Sequence, residues 1–395
     1  MGHAARNVDI LVTTQPAHGH FRPLLPLIAA LSEGGHEVRV ATSAAFAHVV
    51  EAEGLRAEAA GLAWLESDRS TIPPELLPSP DIATVEAYFA HQFVRMTAER
   101  LARDVVALAA TWRPDVLLRE TTEFGGLLAG QALSIPVVAV QAGSPSLMTP
   151  SVLAAAGTAL DEVRLRIGLS PDPELTSIRS EVTIAFAPPA LHDPMTPLPN
   201  NFRSFHPGRS SASRADVPSE IRARDASMPL VYATLGTVFN DPRRGLPFFP
   251  VVIEALRDEP VRVVLIVGPD VDPALLGPLP PTMRALAYVP QRAVLDRCAI
   301  VVCHGGYGTV LDAIDAAVPL VVIPFGADQY INAESVERLR IGRMVDEEGL
   351  SAGSLRAVVR DVLGRDGFMS RIRSLRDAWR ALPGPSEAAE LVTRY

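Results

Sequence analysis

Apolar residues cluster in short runs, separated by longer stretches in which they recur every third or fourth position. The runs at residues 8–12, 37–41, 115–118 and 136–140 predict strands in the first half of the chain. Those at 230–233, 261–267, 300–303 and 320–323 predict strands in the second. Runs that are apolar on both faces suit parallel strands covered by helices. The periodic stretches between them predict helices. One covers 23–33, with Pro23 at its start and Gly34-Gly35 at its end. Regular alternation of strand and helix predicts a doubly wound α/β architecture.

The pattern repeats in two similar halves. A Ser-, Arg- and Pro-rich stretch from His206 to Met228 separates them and reads as a linker. The expected domains are residues 1–210, a linker at 211–228, residues 229–381, and a tail at 382–395 that is helix-compatible after Pro385. Ligands of such sheets bind beyond the carboxyl ends of the strands. A cleft between the two domains is the expected site.

Composition narrows the chemistry. The net charge is −9 and no basic block occurs, which argues against nucleic acid as a partner. The 395 residues contain no lysine, so all 36 basic residues are arginine. That excludes a P-loop lysine, a Schiff base and a pyridoxal-phosphate anchor. The two cysteines, Cys298 and Cys303, are too few for a disulfide framework or structural zinc site and read as small buried side chains. No apolar run reaches the ~18 residues of a membrane span. The N-terminal residues lack a signal-peptide apolar region. A cytoplasmic protein is expected.

Two strand-to-helix turns carry the candidate chemistry. The second-half turn reads His304-Gly305-Gly306-Tyr307-Gly308-Thr309 after the strand at 300–303. A helix starting near Thr309, capped by its hydroxyl, would present free N–H groups to an anion. The glycines would let the backbone approach a phosphate, and His304 would add a donor. A tight turn without a ligand has the same appearance. Twenty residues on, Asp328-Gln329 follows another strand; the pair suits sugar hydroxyls, or Asp328 caps a helix. The first-half turn reads Gly19-His20-Phe21-Arg22-Pro23 and puts a histidine where a dinucleotide fold would have glycines.

Taken in order, Tyr288-Val289-Pro290-Gln291, the His304 to Thr309 turn and Ala327-Asp328-Gln329 resemble the donor-binding signature of glycosyltransferase family 1. The Gly19 to Pro23 segment resembles that family's acceptor-side motif. The resemblance spans about residues 8–385 and is nearest to the bacterial branch that decorates antibiotics with deoxysugars. It implies a GT-B fold, two Rossmann-like domains with an interdomain cleft and no metal requirement. By the resemblance, Tyr288 stacks on the nucleotide base where the family has tryptophan, Val289 hydrogen-bonds the base through its backbone, and Gln291 fills the matching glutamine position. His304, Gly305, Gly306, Gly308 and Thr309 would hold the pyrophosphate, helped by Thr237 in the turn Thr234-Leu235-Gly236-Thr237. Asp328 and Gln329 would hold the sugar. The tail resembles the family's C-terminal helix, which returns to the N-terminal domain. Asp312 stands where plant members carry a ribose-binding glutamate. One methylene shorter, it weakens the inference to uridine nucleotides and favours TDP-sugars, whose nucleoside lacks the 2′-hydroxyl; the other reading of Asp312 is a solvated helix residue.

His20 matches the family's catalytic histidine. Placed just before a helix start, it is expected to be neutral and ready to accept a proton. His18 has no role and reads as a surface turn residue. An orienting carboxylate should follow the strand at 115–118, in Arg119-Glu120-Thr121-Thr122-Glu123. Glu120 aligns with the family's acidic position, and Glu123 is the competitor. The expected reaction is inverting transfer of a hexose to a hydroxyl of a hydrophobic aglycone. Trp64, Tyr88, Phe89, Phe93, Met96, Phe124 and Met148 either line the acceptor pocket or form helical core. A nucleotide-sugar-binding auxiliary protein and a lipid-carrier glycosyltransferase are the alternatives. The oligomeric state stays open, a homodimer included.

Overall fold

The computed structural model describes residues 7–65, 70–74, 84–208, 217–218, 221, 228–237, 239, 247–268 and 271–394. Most of the stretch expected to be a linker, 211–228, lies outside the described residues. The chain divides into two compact units. The first comprises Met1–Phe186, Pro194–Gly208 and Leu382–Tyr395, and the second Ala187–Asp193 and Arg209–Ala381.

The first unit is built on a seven-stranded sheet. Its strands are β1 (Asp9–Thr13), β2 (Glu37–Thr42), β3 (Arg56–Ala59), β4 (Val116–Glu120), β5 (Val137–Val140), β6 (Val182–Ala185) and β7 (Phe202–Ser204). The order is β3-β2-β1-β4-β5-β6-β7, and every pairing is parallel. Alternation along β1 divides its side chains between two cores. Leu11 joins Leu117, Phe124 and Leu128 on one face, while Ile10 and Val12 join Leu24, Leu27, Ile28 and Leu31 on the other. The helix Pro385–Val392 adds Ala388, Ala389 and Val392 to that second core.

The second unit has a six-stranded parallel sheet. Its strands are β8 (Leu230–Thr234), β9 (Arg262–Ile266), β10 (Met283–Leu286), β11 (Ile300–Cys303), β12 (Leu320–Val322) and β13 (Gly342–Met344). The order β10-β9-β8-β11-β12-β13 is the Rossmann order, with the switch point between β8 and β11. In the first unit the switch point lies between β1 and β4. The doubly wound α/β expectation therefore holds in both units. Among the described residues, no helix is long and apolar enough to cross a membrane.

The helix expected at 23–33 begins earlier. Residues His18–Phe21 are already α-helical, Arg22–Leu24 form a 3-10 turn, and the α-helix resumes over Leu25–Glu33. Pro23 marks the change of helix type rather than the helix start, since a proline fits the first positions of any helical turn. His20 thus lies within the first helical turn, not ahead of it.

Candidate active site

Both candidate turns sit at the switch points of their sheets. In the first unit, β1 leads into the His18–Phe21 turn, and β4 ends at Glu120. His20 Nδ1 lies 3.1 Å from Glu120 Oε1 and 3.1 Å from Thr122 Oγ1. The Thr122 N–H donates to Glu120 Oε2 at 2.7 Å, and its hydroxyl donates to Oε1 at 2.8 Å. An ionised carboxylate only accepts, so Nδ1 carries the proton and Nε2 keeps the lone pair. Glu120 is fully buried, whereas the His20 side chain is 16% exposed. Burial alone would raise the Glu120 carboxyl. The charge of a protonated His20, its hydrogen bond and the two Thr122 donors outweigh that effect and hold it below its ordinary range.

Glu123 is placed differently. Its carboxylate accepts from the N–H groups of Gly125 and Gly126, at the start of the helix Gly125–Leu133, and from the Thr13 hydroxyl. Burial raises it from 4.5 to about 7, against those hydrogen bonds and the Arg119 charge. Of the two candidate partners, Glu120 contacts His20 and Glu123 caps a helix. His18 turns the edge of its ring to Phe46 at 5.6 Å.

The aromatic candidates separate by burial. Trp64, Phe89 and Phe124 are core residues. Phe93 lies on a π-helical turn, Ala90–Arg95, with its ring centroid 6.0 Å from that of His20. Such turns recur at functional sites.

In the second unit the helix begins at Tyr307, two residues earlier than expected. Gly306 is its N-cap and has no side-chain bond, so Thr309 lies in the first turn and does not cap it. The first-turn N–H groups lack intrahelical acceptors, as at any helix start. His304 is 7% exposed, and among the described residues its Nδ1 has no hydrogen-bond partner. Burial pushes the imidazole down to about 4, opposed by a backbone contact with Thr234, so it is neutral at pH 7. The Thr234 to Thr237 turn presses on this ring. Gly236 has φ +72°, and a Cβ there would stand 2.7 Å from His304 Cε1. Its N–H donates to Thr234 Oγ1 at 3.1 Å.

The remaining donor-side candidates are dispersed around this turn. Tyr288 is 53% exposed, as a stacking platform requires, and Val289 is buried. Gln291 accepts from the Tyr232 hydroxyl at 3.2 Å and donates to Asp312 Oδ2 at 2.7 Å. Arg292 Nε donates to Asp312 Oδ1 at 2.6 Å, so both oxygens of Asp312 are engaged within the protein. Asp328 holds the N-cap position of the helix Gln329–Arg338 without a side-chain cap bond. Gln329 is buried, and its side-chain oxygen accepts from the Phe325 N–H at 2.8 Å. Cys298 and Cys303 are free, with thiols pushed up to about 12 by burial. Among the described residues, no three His, Cys, Asp or Glu side chains gather as a metal site would require.

Residues 254–394 match the family model described as "Erythromycin biosynthesis protein CIII-like, C-terminal domain". The chain is 27% identical over 393 residues to the NDP-glycosyltransferase YjiC of Bacillus subtilis (strain 168), covering 96% of this chain and 95% of that one. It is 28% identical over 413 residues to the TDP-daunosamine transferase DnrS of Streptomyces peucetius, covering 96% and 94%. The solved structure of the spinosyn rhamnosyltransferase SpnG complexed with spinosyn aglycone superposes with a TM-score of 0.79 at 25% identity, covering 97% of this chain and 99% of that one. With two Rossmann-like units and sugar-transferring relatives matched over nearly its whole length, the chain has the GT-B fold and is a sugar-transferring enzyme, similar to the natural-product glycosyltransferases.

Proposed function

We propose that the enzyme transfers a hexose, with inversion, from a TDP-sugar to a hydroxyl of a hydrophobic aglycone, with His20 as general base. The observation that carries this reading is the hydrogen-bonded set His20, Glu120 and Thr122 at the switch point of the first sheet. The acceptor O–H donates to His20 Nε2. As its oxygen bonds to the anomeric carbon, the proton passes to Nε2 and the bond from that carbon to the leaving phosphate oxygen breaks. Glu120, fully buried 3.1 Å from Nδ1, stabilises the imidazolium that forms. Phe93 offers the aglycone an aromatic surface beside the base.

The departing diphosphate is held by the N–H groups at the Tyr307 helix start and by neutral His304. Tyr288 stacks on the base, with the Val289 backbone beside it. Gly305, Gly306 and Gly308 keep the turn open, Thr237 and Thr309 add hydroxyls, and Asp328 with Gln329 borders the sugar. The engaged Asp312 supports TDP: with both oxygens already accepting hydrogen bonds, it has little left for a ribose 2′-hydroxyl. The printed names of DnrS and of the SpnG complex support a TDP-sugar donor and a natural-product acceptor.

The test is the anomeric configuration of the product formed from an α-linked TDP-hexose, read from its proton coupling. A β-linked product is expected. An α-linked product would rule out the single displacement.

A further inference from the structure

The strand β4 reads Val-Leu-Leu-Arg-Glu, and every residue in it is buried, Arg119 included. An arginine in the middle layer of a parallel sheet needs partners for its charge and its five N–H donors. Arg119 finds one in Glu181, just before β6. Nε and one terminal nitrogen donate to the two Glu181 oxygens at 2.8 and 2.7 Å, and both side chains are at most 3% exposed. The other terminal nitrogen turns to the loop beyond β4. It donates to the carbonyls of Glu120 at 3.3 Å, Thr121 at 3.1 Å and Glu123 at 2.9 Å. The guanidinium also lies over the Phe124 ring, 5.1 Å from its centroid.

A buried ion pair is a poor way to stabilise a fold, because apolar residues of the same volume do as well or better. What this pair provides, and an apolar pair would not, is a planar guanidinium whose fork is held by Glu181 and whose remaining nitrogen donates to three carbonyls of one turn. That turn carries Glu120 and Thr122, the two groups on His20 Nδ1. We propose that Arg119, anchored by Glu181, is a positioning residue that fixes the 120–123 turn and thereby sets Glu120 and Thr122 against His20. The proposal rests on the reading of His20 as the base. It touches neither substrate nor His20 itself, and acts only through the turn.

Two variants test it. Arg119→Lys keeps the charge beside Glu181 but replaces the fork with a single ammonium that cannot span both Glu181 and the three carbonyls. Arg119→Met combined with Glu181→Leu removes both charges together, avoiding an unpaired buried ion. Both are assayed with a TDP-hexose and a phenolic aglycone that the native enzyme accepts, with rates expressed per TDP-binding site. Arg119→Lys is expected to lower kcat about tenfold or more while the donor KM stays within about twofold. In a Glu120→Gln background the same change is expected to cost less than about threefold, because its route to His20 is already broken. The Met/Leu pair, folded by its cooperative melt, is expected to show the same loss of kcat. Equal losses in both backgrounds, or native kcat in either variant, would overturn the positioning role. If Glu120→Gln and His20→Ala leave transfer at the native rate, the base reading has failed and the positioning role falls with it. If those two slow transfer and Arg119→Lys does not, only the positioning role has failed.

Discussion

Replacing Glu120 by glutamine removes one charge at nearly constant shape. The carboxylate oxygen stands 3.1 Å from His20 Nδ1 and is fully buried. Two unit charges at that separation interact by about 5 kcal/mol at an effective dielectric of about 20, which sets the upper bound. A hydrogen bond to a charged group contributes about 1.5–3 kcal/mol, which sets the lower one. The interaction matters when the imidazolium forms, so its loss appears in the transition state. At 1.36 kcal/mol per factor of ten, the expected fall in kcat lies between about tenfold and a few thousandfold. The glutamine can add to this by turning its amide N–H toward Nδ1, which would move the ring proton to Nε2 and occupy the base position. Steady-state transfer at saturating donor and acceptor measures the effect. kcat and kcat/KM are expected to fall together, with the donor KM unchanged. A kcat within about threefold of native, in a variant that folds and binds TDP, would refute the dyad. The same substitution alters stability at acid pH. With its carboxyl held below the ordinary range, Glu120 contributes stability above the unfolded-state pKa, and this is lost as pH falls through the folded-state value. The glutamine variant lacks that dependence.

Glu123 has the opposite sign. Raised from 4.5 to about 7, it keeps its proton in the folded state after the unfolded chain has released it. Stability falls as pH rises from 4.5 to about 7, by on the order of 3 kcal/mol. Urea midpoints of Glu123→Gln should lose that slope, and an unchanged slope would contradict the assignment. Gly236→Ala puts a Cβ 2.7 Å from His304 Cε1 on a backbone with φ +72°. It should destabilise by about 1–3 kcal/mol and weaken TDP binding, measured by melting and calorimetry; native values for both would refute the close approach. With Asp312 engaged by Gln291 and Arg292, TDP should bind at least as tightly as UDP in calorimetric titrations. A clear preference for UDP would remove Asp312 as a reason to favour TDP.

The parts legible in the sequence were the ones packed on both faces. The eight strand runs recognised from their apolar residues all lie in the interior of a sheet, where covered faces favour largely apolar stretches. The strands not anticipated are β3, β7, β10 and β13, which are the sheet edges, together with β6. Edge strands are short and half-exposed, so charged or small residues such as Arg56, Glu58 and Ser204 break the apolar signal. Both glycine-containing turns were visible because each interrupts such a run. Their helix starts were not: Ala17 and Gly306, the actual N-caps, carry no capping side chain to announce them. The resemblance favoured Glu120, and Glu123 stayed open as its competitor. The last residue of a strand and the third residue of the following turn point to different places, and only the folded turn separates His20's partner from the helix cap. Thr122 and Arg119 were passed over. For Arg119 the signal was present, as the charged residue inside an otherwise apolar central strand, a position that demands a buried partner.

The central claim, that His20 accepts the acceptor's proton during sugar transfer, is tested most directly by His20→Ala. TDP affinity is measured by calorimetry and transfer from a TDP-hexose is measured beside it. TDP is expected to bind within about twofold of native, and turnover to fall by about a hundredfold or more, the scale of general base catalysis. Turnover retained at the native rate, with TDP bound as before, would contradict it.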